Sequence, residues 1–398
     1  MSRHRLLGGL AAAGLLAAAV AGCGSSPAPG IAQQAAPAAP PLVTSFADGA
    51  GPGWAIVEMG GSAAENNNFW ELFARQPGSA TWRLATPLGV ADNGGLVVTA
   101  TGGESLLTGF VPSQDLKFSP LATSGDGGVK WSSASLVDPG LASVPDALAG
   151  GPGDNLIALT SHGAELSQNL GTTWRTLSSA STLGATAAGR ACAVTGLTAV
   201  AYGSSSSAGS PGPDAGTPML GAGCGRPGVA GIFAETGGFW HAAGPPRSAL
   251  PGSLAREDID VVRLAATSAG VVALLRAGTG PDATLVAAWA PANAAAWKVS
   301  PPLRLGSRRL LSTTVGPGWA VGVTLSGNRG ETLTGPDATA WRALPALPRW
   351  AATLALGPSG AVDAIAAHGG TFQDYRLSVS GWGLTQTLKV TIPYGSSG

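Results

Sequence analysis

A tryptophan-bearing turn recurs along this chain, and its recurrence restricts the fold more than any other feature. Two copies share the spacing Ser-x-Asp/Asn-x-Gly-x-x-Trp: Ser124, Asp126, Gly128 and Trp131, then Ser167, Asn169, Gly171 and Trp174. Five looser copies keep the tryptophan at the start of a short strand: Trp82, Trp240, Trp297, Trp341 and Trp382. Successive tryptophans are 49, 43, 66, 57, 44 and 41 residues apart. A period of roughly 40 to 50 residues is one small sheet of about four strands, which buries its faces only by stacking on its neighbours.

A second signal recurs in step with the first. Gly51-Pro52-Gly53-Trp54-Ala55-Ile56-Val57 is echoed by Gly316-Pro317-Gly318-Trp319-Ala320-Val321, and more loosely by Gly151-Pro152-Gly153 and Gly357-Pro358-Ser359-Gly360. Glycine supplies positive φ and proline presets its own φ, as tight β connections require. One unit reads almost whole, as strands over 261–266, 271–276, 284–290 and 296–299 separated by Gly, Pro and Asp. Long helical periodicity is absent. The expectation is an all-β chain, a β-propeller of seven four-stranded blades over residues 42–398, with the seven tryptophans at one equivalent position wedged between neighbouring sheets. Six or eight blades follow if Trp382 or a Trp-less segment is miscounted. Near the end, Leu384, Gln386, Leu388, Val390 and Ile392 alternate with Thr385, Thr387, Lys389 and Thr391, which predicts a half-buried strand. Its expected partner is the strand at Leu42–Phe46, so that both termini close the ring. Residues 203–216, rich in Ser, Gly and Pro, read as a surface loop.

The head of the chain carries targeting information. Arg3 and Arg5 precede an unbroken small and apolar run over residues 6–20, shorter than the roughly 20 residues of a membrane span. It ends in Val20-Ala21-Gly22-Cys23, which resembles the bacterial lipobox. That resemblance implies a signal peptide over residues 1–22 and a diacylglyceryl anchor on Cys23, hence a protein lipid-anchored at the extracytoplasmic face of the cell membrane. Residues 24–41 hold five prolines and no charged or aromatic residue, the composition of a disordered tether between Cys23 and the propeller.

Charge excludes one class of partner. The chain has 22 Lys and Arg against 22 Asp and Glu, and without Arg3 and Arg5 the balance is about −2. No basic footprint for nucleic acid exists, and no polybasic patch for a membrane surface. Setting Cys23 aside leaves Cys192 and Cys224, which an oxidising compartment would join as a disulfide. A metal site built on that pair would need further His or Cys nearby, and only His241 is loosely close.

The Ser-x-Asp-x-Gly-x-x-Trp turns resemble the Asp-box of bacterial-neuraminidase-type repeat propellers, and the Gly-Trp-Ala-Val starts resemble the photosystem II assembly-factor type of propeller. In such families the box is a structural turn, which implies fold roles for Ser124, Asp126, Gly128, Trp131, Ser167, Asn169, Gly171 and Trp174. A sialidase of the first family needs an arginine cluster, a tyrosine nucleophile with a carboxylate partner and an Asp acid/base. The usual Arg-Ile-Pro motif is missing, and only Tyr375, which follows Asp374, stands beside an acid. No nucleophile elbow, Ser-x-x-Lys, His-Glu-x-x-His or phosphate loop occurs, so no catalytic residue, metal or cofactor is assigned. The acidic stretch Arg256-Glu257-Asp258-Ile259-Asp260 reads as a solvated loop, with a cation site as the alternative. Three readings stand: a non-enzymatic lipoprotein whose propeller binds a partner protein or cell-envelope component; a glycan-directed hydrolase or lyase with an axial active site; and a surface protein without a defined ligand.

Overall fold

In the computed structural model, the residues described are 42–46, 53–60, 68–76, 78–87, 95–102, 105–110, 121–133, 141, 143–203, 216–267, 270–291, 297–316, 319–357 and 360–390. Residues 1–41, with Cys23, and 204–215 of the predicted surface loop lie outside them. The described strands fall into seven antiparallel groups of four, called blades 1 to 7, over residues 42–84, 96–133, 145–178, 194–242, 259–299, 310–343 and 351–389, with one further short strand, Leu303–Arg304, paired to Thr284–Pro291 of blade 5. Each group is a simple meander, in which every strand pairs antiparallel with the next in sequence. In blades 3, 6 and 7 the first turn closes identically: the N–H of Gly151, Gly316 and Gly357 donates to the carbonyl of Asn155, Ala320 and Ala361 at 2.8, 2.9 and 2.8 Å.

First strands lie side by side in blades 2 and 3, 3 and 4, 4 and 5, 6 and 7, and 7 and 1, Leu42–Phe46 also pairs with Leu310–Val315 of blade 6, and each fourth strand ends its group. Burial peaks in second strands such as Leu156–Thr160 and Val321–Leu325, while first strands are partly exposed and fourth strands the most exposed. Seven apolar clusters form the core, each shared by two consecutive blades. The cluster of Val57, Met59, Phe73 and Trp82 with Ala355, Ile365 and Phe372 joins blade 1 to blade 7 and so closes a ring. The architecture is a β-propeller.

The seven tryptophans hold one position. Each lies immediately before, or second in, the fourth strand of its blade, in the seam with the preceding blade. Four indoles donate across that seam to a carbonyl three or four residues beyond the preceding tryptophan. These are Trp131 to Ala85 at 2.7 Å, Trp297 to Ala243 at 2.7 Å, Trp341 to Pro301 at 2.9 Å and Trp382 to Pro345 at 3.4 Å. Trp174 donates instead within its own turn, to Gly171 at 2.9 Å.

One expectation needs correction. The terminal strand Gly381–Lys389 pairs with Thr371–Ser378 and not with Leu42–Phe46. Leu42–Phe46 has both edges occupied, antiparallel to Gly53–Gly60 and parallel to Leu310–Val315, so no edge is left for a second terminal strand. The two terminal strands share no blade, and blades 1 and 7 meet through side-chain packing together with a backbone bond from the Gly60 N–H to the Gly369 carbonyl at 2.9 Å. In addition, the interval between Trp174 and Trp240 holds two short helices, Ala180–Gly184 and Ala187–Cys192. Ser179 and Thr186 cap them by accepting from the N–H of Thr182 and Gly189. A Cβ on Gly189 would collide with the Leu183 carbonyl, so glycine alone lets the helices meet this closely. The second helix ends at Cys192, which is disulfide-bonded to Cys224 with Cα atoms 5.0 Å apart.

Candidate functional site in the axial channel

The two best-matched repeat turns sit at the periphery, between third and fourth strands. Ser124 Oγ donates to Asp126 Oδ1 and accepts from the Gly128 N–H, while Asp126 Oδ1 accepts from the N–H of Val129 and Lys130 at 3.0 and 2.9 Å. These donors hold the Asp126 carboxyl below its usual range, the Lys130 N–H first among them. Ser167, Asn169, Gly171 and Thr173 repeat the arrangement, with Asn169 Oδ1 accepting from the Thr173 N–H at 2.9 Å. Gly128 and Gly171 both take positive φ, 86° and 84°, and a Cβ on Gly128 would lie 3.0 Å from that of Ala85 in the neighbouring blade. The Ser124 and Ser167 hydroxyls and the Oδ1 atoms of Asp126 and Asn169 are used to close their own turns.

The chemistry lies instead where the first strands converge. A cavity of about 150 Å³ is lined from six of the seven blades, by residues such as Ile56, Val97, Asp146, Thr198, Arg263 and Thr313. A second, of about 110 Å³, adjoins it and shares Val98, Leu148, Val200, Arg263 and Leu264. Arg263 therefore stands where the two meet.

A repeated irregularity shapes this channel. In blades 3 to 7 the first strand carries an extra residue against the second, at Asp146, Thr198, Val262, Leu311 and Ala352, with a further one at Thr195 in blade 4 and another at Thr101 in blade 2. Such bulges bend a strand and re-aim the side chains beside them. The residue after the bulge is Ala147, Ala199, Ser312 and Thr353 in four blades, and Arg263 in blade 5.

Arg263 Nη1 donates to the Thr313 carbonyl at 3.3 Å and approaches its hydroxyl at 3.5 Å. Its Nε has no partner, and it joins no ion pair among the described residues. Part of the side chain borders the void, yet protein surrounds the guanidinium, and lost hydration pushes its pKa down to about 9. It stays cationic at neutral pH. Asp146 borders the same cavity, and although the residue is exposed on its other side, partial desolvation raises its carboxyl pKa. Opposite charges share the channel without pairing.

The residues considered for glycosidase chemistry are separated. Tyr375 packs into the seam between blades 6 and 7, its hydroxyl on Gln373 Oε1 at 3.1 Å. Asp374, on the other face of the same strand, is fully buried and accepts from Thr385 Oγ1 at 2.7 Å. Beside it Asp363 binds Arg75 at 2.7 Å and Arg376 at 2.8 Å, a charged cluster at the closing seam. Asp260 of the acidic stretch pairs with Arg276 at 2.8 Å on the surface. Among the described residues, no group of three His, Cys, Asp or Glu is placed to hold a metal ion.

No protein-family model matches the chain, and no curated protein does. Solved structures do resemble it. The GH74 xyloglucanase from Xanthomonas campestris aligns with a TM-score of 0.50 and 14% identity over 85% of this chain, which spans 52% of that one. YCF48 bound to D1 peptide gives 0.43 and 15% over 90% and 94% of the two chains, and YCF48 from Cyanidioschyzon merolae 0.46 and 17% over 88% and 95%. At these identities the likeness concerns fold alone.

Proposed function

We propose that this chain is a non-enzymatic, extracytoplasmic lipoprotein whose propeller binds a partner protein or cell-envelope component. Residues 1–22 act as the signal peptide, Cys23 carries the lipid, and residues 24–41 tether the propeller of residues 42–398 to the membrane. The single observation behind the binding role is the axial channel, where a cation without a carboxylate partner stands among apolar walls. The one Tyr-Asp pair that chemistry could have used is spent on packing and internal hydrogen bonds.

Two measurements test the proposal. Radioactive fatty acid should label the wild type and not Cys23→Ala, and the variant should leave the membrane fraction, because the near-neutral mature chain offers no second membrane signal. Persistent membrane association of the variant after a high-salt wash would refute the anchor. In vivo cross-linking of the anchored protein should yield a discrete adduct. Turnover of sialosides or envelope polysaccharides by the purified mature chain would overturn the non-enzymatic reading.

A further inference from the structure

We infer that the axial channel is an anion site in which Arg263 receives a carboxylate. The inference rests on reading the propeller as a binding module and names the chemistry of what it binds. Folding alone favours a neutral side chain at this place. An enclosed cation lacking a carboxylate partner lowers stability, and the other bulged strands put Ala147, Ala199, Ser312 and Thr353 there. The bulge at Val262 sets Arg263 on the cavity wall. With Nη1 engaged by Thr313, Nε is left buried without a partner on the residue that borders the cavity, and the Nε–Nη2 edge of a guanidinium can give a carboxylate two parallel hydrogen bonds. A single cation neutralises a single negative charge, and Asp146 in the same cavity repels a second. A monocarboxylate therefore fits better than a phosphate or a dicarboxylate. The cavity of about 150 Å³, adjoining a second of about 110 Å³, has room for such a group.

The test uses the purified full chain at constant ionic strength, with acetate as the probe and acetamide as its uncharged counterpart. Acetate should raise the thermal midpoint saturably, and acetamide should not. Arg263→Met should lose the acetate response while unfolding at a higher temperature than wild type in acetate-free buffer. If Arg263→Met does not fold, Arg263→Lys keeps the charge without the planar fork and should lose most of the response. The Arg263 Nε–H resonance should move on acetate addition in the wild type. An undiminished acetate response in the variant, or a resonance that acetate leaves unmoved, would overturn the site. A short peptide with a free C-terminus that outperforms both acetate and its own C-terminal amide assigns the carboxylate to a polypeptide, and a response to acetate alone assigns it to a small acid. Cross-linked adducts that persist in a chain without an acetate response would refute this site and leave the broader binding role standing.

Discussion

The side-chain amide of Gln386 pairs with both backbone groups of Trp82, accepting from the N–H at 2.7 Å and donating to the carbonyl at 2.8 Å. Gln386 stands four residues beyond Trp382, the place taken by Pro301 and Pro345 after Trp297 and Trp341. There a carbonyl accepts an indole hydrogen bond from the next blade. At the closing seam a side chain reaches the next tryptophan's backbone instead, beside Phe73 stacked on Phe372 at 3.9 Å. Gln386→Leu should therefore loosen ring closure. Leaving two partly buried backbone groups unpaired costs about 1 to 3 kcal/mol. The urea midpoint should fall with an unchanged m value, and a midpoint equal to wild type would show that the ring closes without this side chain.

The indole hydrogen bonds separate from the packing of their rings. Trp297→Phe and Trp341→Phe keep an aromatic in the seam and remove the bond to Ala243 or Pro301, at a cost of about 1 kcal/mol each plus a small loss of area. Trp297→Ala removes both and should approach the lower end of the roughly 3 to 5 kcal/mol seen for aromatic truncations, since the side chain is only half-buried. Equal losses for the Phe and Ala variants in chemical denaturation would contradict this division.

The repeat was legible because each blade spends the same residue type at the same place: a tryptophan after a Gly-containing turn announces itself in any frame. The channel was not. Its bulges at Asp146, Thr198, Val262, Leu311 and Ala352 share no chemistry, and only strand register reveals them. In the sequence Arg263 looks like any charged residue of a half-exposed strand. Superposing the first strands of the blades was the available signal, since it sets an arginine against Ala147, Ala199, Ser312 and Thr353. The partner of Leu42–Phe46 was hidden for another reason, because alternation marks which face is buried and not which strand lies beside it. The short helices escaped because five or six residues hold no full apolar period; the caps at Ser179 and Thr186 were their only trace.

The Cys192–Cys224 bond spans 32 residues of sequence and ties the second helix to the end of the second strand of blade 4. On the chain-entropy model, closing a loop of that length in the unfolded chain stabilises the fold by roughly 3 to 4 kcal/mol. The double variant Cys192→Ala/Cys224→Ala should lose stability of that order and become indifferent to dithiothreitol, while the wild type falls to the same midpoint on reduction. Two free thiols titrated in denatured, unreduced protein freed of Cys23 would refute the bond.

Asp374 makes the closing seam sensitive to pH. Its carboxyl is fully buried, Oδ1 has no partner, and burial together with the neighbouring Asp363 pushes its pKa from 3.8 up to about 6, against the opposing pull of Thr385, Arg75 and Arg376. The folded state therefore binds this proton more tightly than the unfolded chain does. The resulting stabilisation is fully present below about pH 3.8 and is lost as pH rises through about 6. At about 1.4 kcal/mol per pH unit, the loss is on the order of 3 kcal/mol by neutral pH. Asp374→Asn is neutral throughout, keeps an oxygen for the Thr385 hydroxyl, and places an N–H group where the ionised acid has an unpaired oxygen. Urea denaturation should find this variant close to wild type near pH 4 and more stable by about 2 to 3 kcal/mol at pH 7.5. The wild-type-minus-variant difference isolates Asp374 from the other carboxylates, whose titration is common to both proteins. A variant less stable than wild type at pH 7.5 would mean that Asp374 works as an ionised partner of Arg75 and Arg376, and the sign of the pH dependence would reverse.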